Sequence, residues 1–421
     1  MPIIPAPETG KQQKMLNEIK DCEVCGNRVL VPVLDLGMHP MCDDLVPIGD
    51  TRICRQYPIE ILFCEKCCTA HQRFQIPKQE LFPRSYHYRA RHTADVLNGM
   101  REFVATCEKT CGPLSELKVL DIGCNDGSLL SIFREKGART FGIEPTGACE
   151  DAVQAGHTAI NDFFTGDIAQ EFVRINGKPD IITFTNVFAH IEGLADVIQA
   201  LKVLKHDRTV IVIENHYLGS VLEKFQFDTF YHEHPRTYSY TSFAFIGDAL
   251  GMQIAAVEFP PRYNGNIRVV YTPRAGQGKH AGWDTVHPRE KSFGRELKTM
   301  SERLVPWKKG KLEEITLAVR KYGRLSGKAF PGRAAIPVRL LGLDETHIRA
   351  VYEKPQSNKV GHYIPGTRIP ILSDDEFDPA GTDAPLINLA WHISREIRNY
   401  MQSRGYRGPI LDIISPEVPP R

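Results

Sequence analysis

From about residue 85 the chain alternates short β-branched runs with longer stretches whose apolar residues recur at helical spacing. The runs LKVLDIG, RTFGIEP, DIITFTNVFAH and RTVIVIENHY read as strands, and TADVLNGMREFVATCEKTC ahead of them reads as a helix. Such alternation predicts βαβ units around a parallel sheet. Each run ends in polar or glycine residues, and ligands of α/β sheets sit at the carboxyl ends of the strands. A second α/β region is expected to begin at GMQIAAVEFP, to include NIRVVYTP and IRAVYEKP, and to contain two helices, RELKTMSERLVPWKKGKLEEITLAVRKYGRLSG and WHISREIRNYMQSRG. The first eighty residues hold neither period and are punctuated by Pro and Cys, which suits a loop-rich module held together by a metal. The division expected is a metal-binding module at 1–80, a Rossmann-like sheet domain at 81–250 and a second α/β domain at 251–421.

Charge narrows the partner. With 52 basic against 51 acidic residues there is no field to gather nucleic acid or an anionic membrane, so a small molecule is expected. No window approaches the roughly eighteen uncharged apolar residues that span a bilayer, and the opening MPIIPAPETGKQQKMLNEIK carries no export pattern. A cytoplasmic location follows as an expectation, in which the eleven cysteines are thiols or metal ligands. The sequence leaves monomer and homodimer open.

Cys22 and Cys25 form one CxxC pair, and Cys64 and Cys67 form a second. Two such pairs can close a tetrahedral thiolate cage with no open position, the form of a structural zinc site. Cys68 stands next to Cys67 and is a competing ligand on spacing alone. The flanks of both pairs lack the basic residues of a nucleic-acid-gripping ribbon.

In VLDIGCNDGSLL an apolar strand turns into a helix through two glycines, Gly123 and Gly127, with Asp121, Asn125 and Asp126 around them. The turn is neither GxGxxG nor a P-loop. Its carboxylates disfavour a pyrophosphate and favour a cationic or hydroxyl-rich ligand. The next strand ends in FGIEP, which places Glu144 where an acidic side chain takes a ribose diol. Together these elements resemble motifs I and II of the class I S-adenosylmethionine methyltransferases. The resemblance implies that Asp121, Gly123, Asn125, Asp126 and Gly127 shape the pocket for the methionine end of that cofactor. It further implies that Glu144 holds the ribose, and that Asn161, Asp162 and Phe163 flank the adenine. Asn186, at the end of the DIITFTN run, is expected to join them.

The stretch DTFYHEHP brings Tyr231, His232, Glu233 and His234 together. On an extended segment the two histidines share a face and the glutamate points away, while on a helix all three diverge; neither gives a facing ligand set for zinc or iron. Proton transfer fits better. A carbon nucleophile requires loss of a proton beside a carbonyl, and an imidazole with a pKa of about 6.5 is suited to take it. Glu233 or Tyr231 would orient the ring, and a further donor must stabilise the enolate, a role for which His190 in NVFAHI is the candidate.

The order CxxC…CxxC, SYHYRARHT, DIGCNDG, GIEP, NVFAHI, FDTFYHEH and HYIPGTRIPI resembles the nucleotide-sugar C-methyltransferases over nearly the whole chain. That resemblance implies three parts: an amino-terminal zinc module, a middle S-adenosylmethionine domain, and a carboxyl-terminal α/β domain that helps hold a keto-deoxysugar or deoxyaminosugar linked to dTDP. It implies His234 as the base, Tyr231, Glu233 and His190 as its companions, and Tyr86 or Tyr88 as an active-site phenol. Two stretches depart from the family. NGNIR stands where GGSxR is usual, with Asn264, Gly265, Asn266 and Arg268 expected to meet the acceptor. FPGRAAIPVRLL lacks the usual lysine, leaving Arg333 or Arg339 to meet a phosphate. The function expected is S-adenosylmethionine-dependent C-methylation of a keto-sugar nucleotide or related carbonyl compound. The alternatives are O- or N-methylation on the same fold, and a non-catalytic sensor that keeps the pocket.

Overall fold

The computed structural model describes residues 16–83, 89–92, 94–274 and 278–415. The chain groups into two compact units. The first holds Met1–Val31, Leu62–Ser220 and Glu233–Gly294; the second holds Pro32–Ile61, Val221–His232 and Arg295–Arg421.

The first unit is built on a seven-stranded sheet. Its strands are β1 (Lys118–Ile122), β2 (Arg139–Ile143), β3 (Thr158–Ile160), β4 (Ile181–Thr185), β5 (Val210–His216), β6 (Met252–Glu258) and β7 (Asn266–Pro273). They lie in the order β6-β7-β5-β4-β1-β2-β3. The first five are mutually parallel, while β7 runs antiparallel between β5 and β6. β1, β4 and β5 are almost wholly buried, as expected of parallel strands covered on both faces. One face is closed by helices α1 (Ala94–Cys111) and α2 (Ser128–Glu135), whose Met100, Phe103, Leu129 and Phe133 pack on Val119, Ile181, Val212 and Val270. Fully burying a side chain of this size contributes roughly 1.5–3 kcal/mol, so this face alone anchors the sheet.

The four apolar runs expected as strands are β1, β2, β4 and β5. The boundary expected at residue 251 needs correction: GMQIAAVEFP and NIRVVYTP form β6 and β7 and complete the first sheet, with β7 in full register on β5 from Ile211↔Tyr271 to His216↔Asn266. The physical reason is that β7 is an antiparallel insertion whose hydrogen bonds satisfy an otherwise open edge of β5. The expected 1–80 module is likewise split, since residues 32–61 group with the second unit. That segment holds the short strand Val46–Pro47 and most of the strands Val31–Pro40 and Gln56–Cys64, where the Pro and Cys punctuation suggests loop.

A 30-residue helix, Phe293–Tyr322, carries the chain into the second unit. There β8 (Leu325–Lys328), β9 (Ile348–Glu353), β10 (Pro370–Ser373), β11 (Leu386–Asn388) and β12 (Ile410–Asp412) form a parallel sheet in the order β12-β11-β8-β9-β10. This doubly wound order reverses beside β8, the switch point at which such sheets bind ligands. Among the described residues no helix is long and apolar enough to cross a membrane.

Candidate active site

The two CxxC pairs fold into matching knuckles. In each, the residue after the second cysteine returns its N–H to the carbonyl of the first, Gly26 to Cys22 and Cys68 to Cys64, both at 2.8 Å. Both residues turn left-handed, Gly26 at φ 67 and Cys68 at φ 56. The four sulfurs of Cys22, Cys25, Cys64 and Cys67 lie within 4.8 Å of one another, with Cys22 to Cys67 at 3.4 Å and Cys25 to Cys64 at 3.6 Å. A tetrahedron with zinc–sulfur bonds of about 2.3 Å has edges of about 3.8 Å, so the set fits zinc. Donors surround it: Asn27 Nδ2 lies 3.5 Å from Cys64 Sγ and Thr69 Oγ1 3.0 Å from Cys67 Sγ. Cys68 is buried outside the cluster, and burial pushes its thiol up to about 12.

This module holds the segment that follows His234. Arg236 and Thr237 pair antiparallel with His71 and Ala70, and Gln72 N donates to the Pro235 carbonyl at 2.8 Å. The fully buried Arg236 donates to Glu23 at 2.7 Å, one residue from the ligand Cys22.

The glycine turn lies between β1 and α2. Gly123 (φ 72) and Gly127 (φ 76) are both left-handed. A Cβ on Gly123 would lie 2.6 Å from Val187 Cγ2, so the turn and residues 186–187 after β4 press together. Asp121 sits beneath the turn, 3% exposed, and accepts from Thr183 Oγ1 at 2.7 Å. Burial raises its carboxyl to about 7, with the Glu144 charge adding to the shift. Glu144 ties the turn to the end of β2: Oε2 accepts from Asn125 N at 3.0 Å, and Oε1 from Thr146 N and Oγ1 at 2.9 and 2.6 Å. Each carboxylate oxygen can accept further bonds, as a ribose diol would require. Asp126 faces inward along the loop, accepting from Arg91 N and Ser128, and Asn125 Oδ1 accepts from Ala90 N. Asn161 donates to the carbonyls of Glu144 and Thr146, Asp162 is exposed, and the Phe163 ring carries Lys78 Nζ at 4.8 Å. The two glycines let a ligand approach the turn's backbone and Glu144 can accept further hydrogen bonds, so these residues fit S-adenosylmethionine.

Beside that turn, at the carboxyl ends of β4 and β5, three imidazoles converge. The His234 ring, 3% exposed, lies 4.8 Å from His190 and 5.3 Å from His216 between centroids. Tyr263 follows, 5.5 Å from His216. His190 Nδ1 lies 2.7 Å from the Glu233 carbonyl. Burial lowers its pKa to about 4, while the carbonyls of Glu233 and Asn186 pull the other way. Among the described residues the cysteine cluster is the group whose ligand atoms converge as a metal cage requires, and the three imidazoles do not.

Sequence reasoning missed His216 and Tyr263. His216 was detectable as the last polar residue of a strand ending at the ligand edge; Tyr263 was not, because its place depends on a left-handed backbone (φ 51, ψ 32). Tyr231 and His232 group with the second unit and Glu233 and His234 with the first, so the division falls inside the motif. His232 is a core ring, its Nε2 on the Tyr57 carbonyl at 3.3 Å, and burial lowers it to about 3. Tyr86 and Tyr88 lie outside the described residues.

The residues expected to meet the acceptor divide. Asn264 (φ 64) and Gly265 (φ 127) continue the left-handed run begun at Tyr263. Asn266 and Arg268 are strand residues of the first sheet: Arg268 is buried and donates to Glu214 at 2.8 Å, and to Thr106 and Glu258 at 2.7 Å. In the second unit Arg333, in the turn after β8, places Nε 3.3 Å from Asp228 and NH1 3.2 Å from Thr229. Its NH2 is buried and makes no hydrogen bond among the described residues. Arg339 is exposed and donates to Gln56 at 3.3 Å.

Family models match three successive parts of the chain: a zinc binding domain at 22–82, a methyltransferase domain at 87–257 and a C-methyltransferase C-terminal domain at 265–411. The chain is 26% identical to the C-methyltransferase NovU of Streptomyces niveus, over 91% of this chain and 93% of that protein. It is 30% identical to the ubiquinone biosynthesis O-methyltransferase of Leptothrix cholodnii over 22% of this chain and 41% of that one. Among solved structures, magnesium protoporphyrin IX methyltransferase from Synechocystis PCC 6803 is 15% identical, with 47% of this chain and 89% of that one covered at a TM-score of 0.32. The chain is a methyltransferase, with a zinc-binding domain before the methyltransferase domain and a C-methyltransferase C-terminal domain after it.

Proposed function

We propose that this enzyme places its methyl group on a carbon next to a carbonyl, in a keto-deoxysugar carried by a nucleotide, with His234 as the base. The convergence of His190 and His216 on His234, at the strand ends beside the glycine turn, carries this reading. The turn at 121–127, Glu144 and Asn186 would hold S-adenosylmethionine, which supplies an electrophilic methyl group when bound. His234 takes the proton from the acceptor carbon, and the electron pair left behind is delocalised onto the neighbouring carbonyl as an enolate. The buried segment around it keeps bulk water from quenching that carbanion equivalent. For the carrier we assign Arg333 over Arg339, because Arg333 NH2 is buried at the switch point of the second sheet with no hydrogen-bond partner among the described residues, whereas Arg339 is exposed and donates to Gln56. The motifs FDTFYHEH and YIPGTRIPI, shared with the nucleotide-sugar C-methyltransferases, support the sugar.

The test is incubation with 13C-methyl-labelled S-adenosylmethionine and a dTDP-4-keto-deoxysugar, followed by NMR of the product. A labelled methyl coupled to a ring carbon supports the reading. A methyl on oxygen or nitrogen, or no transfer, overturns it.

A further inference from the structure

Asn266 occupies the place where the resemblance leads one to expect serine, in a stretch expected to meet the acceptor. It is fully buried at the start of β7, directly across from His216 on β5. Its Nδ2 donates in two directions, to Glu214 Oε1 at 2.9 Å and to Asn186 Oδ1 at 3.1 Å. Glu214, also fully buried, is held by Arg268, whose Nε and NH2 reach Oε2 at 2.8 and 2.7 Å. Asn186 is itself left-handed at φ 55, with its N–H on the Glu214 carbonyl at 2.8 Å. The next residue, Val187, is the one pressed against Gly123 of the cofactor turn.

We infer that Asn266 is a positioning residue for the cofactor site: it fixes the Asn186 side chain against a rigid, charge-compensated Glu214–Arg268 pair, and through residues 186–187 sets one wall of the crevice. An asparagine suits this because its amide nitrogen carries two hydrogens and can serve both acceptors at once, whereas a serine hydroxyl has one to give. Left without that donor, Asn186 Oδ1 would lose the Asn266 hydrogen bond and Glu214 Oε1 would keep only the longer contact from Arg262 NH1 at 3.5 Å. The inference rests on the reading of residues 186–187 as part of the cofactor crevice, and does not depend on which atom is methylated.

The experiment is calorimetric titration of the full chain with S-adenosylhomocysteine, for the parent, Asn266→Ala, Asn186→Gly and the double variant. Glycine at 186 keeps the left-handed backbone without strain. Each single variant is expected to weaken binding about ten-fold, and the double variant no further, since the two residues act as one unit. Asn266→Ser, which keeps one donor and disturbs packing least, is expected between parent and Asn266→Ala, and gives the answer should the alanine variant fail to fold. Unliganded melting temperatures separate the outcomes: a purely structural role lowers stability and leaves the dissociation constant of the folded protein unchanged, which overturns the inference. Additive losses in the double variant overturn it as well. Failure of the parent itself to bind would instead overturn the cofactor assignment.

Discussion

His190 Nδ1 lies 2.7 Å from the backbone carbonyl of Glu233, a group that can only accept a hydrogen bond. Burial keeps this imidazole neutral, with a pKa of about 4. The ring holds the carbonyl next to His234 and packs on the His234 ring. His190→Phe should therefore lower kcat about 10- to 100-fold while leaving S-adenosylhomocysteine affinity within about two-fold, as expected when a base loses its support. Steady-state kinetics alongside calorimetry checks this.

The zinc knuckles and the segment that follows His234 share a strand pair, Arg236↔His71 and Thr237↔Ala70. Metal analysis should find one zinc per chain in the cysteine cluster. Cys64→Ser should lose it and, with it, most turnover, because the segment after His234 is then untied, while cofactor binding on the turn between β1 and α2 persists. Elemental analysis and titration of the same sample decide the matter.

At the glycine turn a methyl group has no room. Gly123→Ala would place Cβ 2.6 Å from Val187 Cγ2 on a backbone at φ 72. The left-handed conformation alone costs about 1–2 kcal/mol for a non-glycine residue. Loss of S-adenosylhomocysteine binding by at least ten-fold is the expected result, measured by calorimetry.

His232 gives the protein an acid-sensitive core. Burial lowers its pKa to about 3, so its contribution to stability is present above the unfolded value near 6.5 and is lost as pH falls toward 3. Between pH 7.5 and pH 5 this single ring accounts for about 2 kcal/mol of lost stability, from the shift of the unfolded-state titration. His232→Gln should be less stable than the parent at pH 7.5 yet lose about 2 kcal/mol less over that interval. Urea unfolding at the two pH values measures it.

Local signals carried much of this architecture. Four apolar runs gave four parallel strands, since a strand buried on both faces writes itself as an unbroken β-branched stretch. The cysteine knuckles were equally plain, because their chemistry depends on spacing within each pair. The fate of β6 and β7 was not legible: NIRVVYTP looks the same whether it closes one sheet or opens another, and its pairing with β5 is a long-range event. The burial of Asn266 and Arg268 in that sheet was illegible for the same reason. His216 and Tyr263 escaped because nothing in ENHY or PRYNG states that those two rings meet.

The account centres on His234 removing a proton from carbon. The direct measurement is proton NMR of a dTDP-4-keto-deoxysugar in deuterated buffer with enzyme and S-adenosylhomocysteine, so that exchange proceeds without methyl transfer. The parent should wash out the signal of the hydrogen next to the carbonyl, and His234→Asn, still binding S-adenosylhomocysteine, should slow that exchange at least 100-fold, within the range general bases supply. Exchange by His234→Asn at the parent rate would contradict the account.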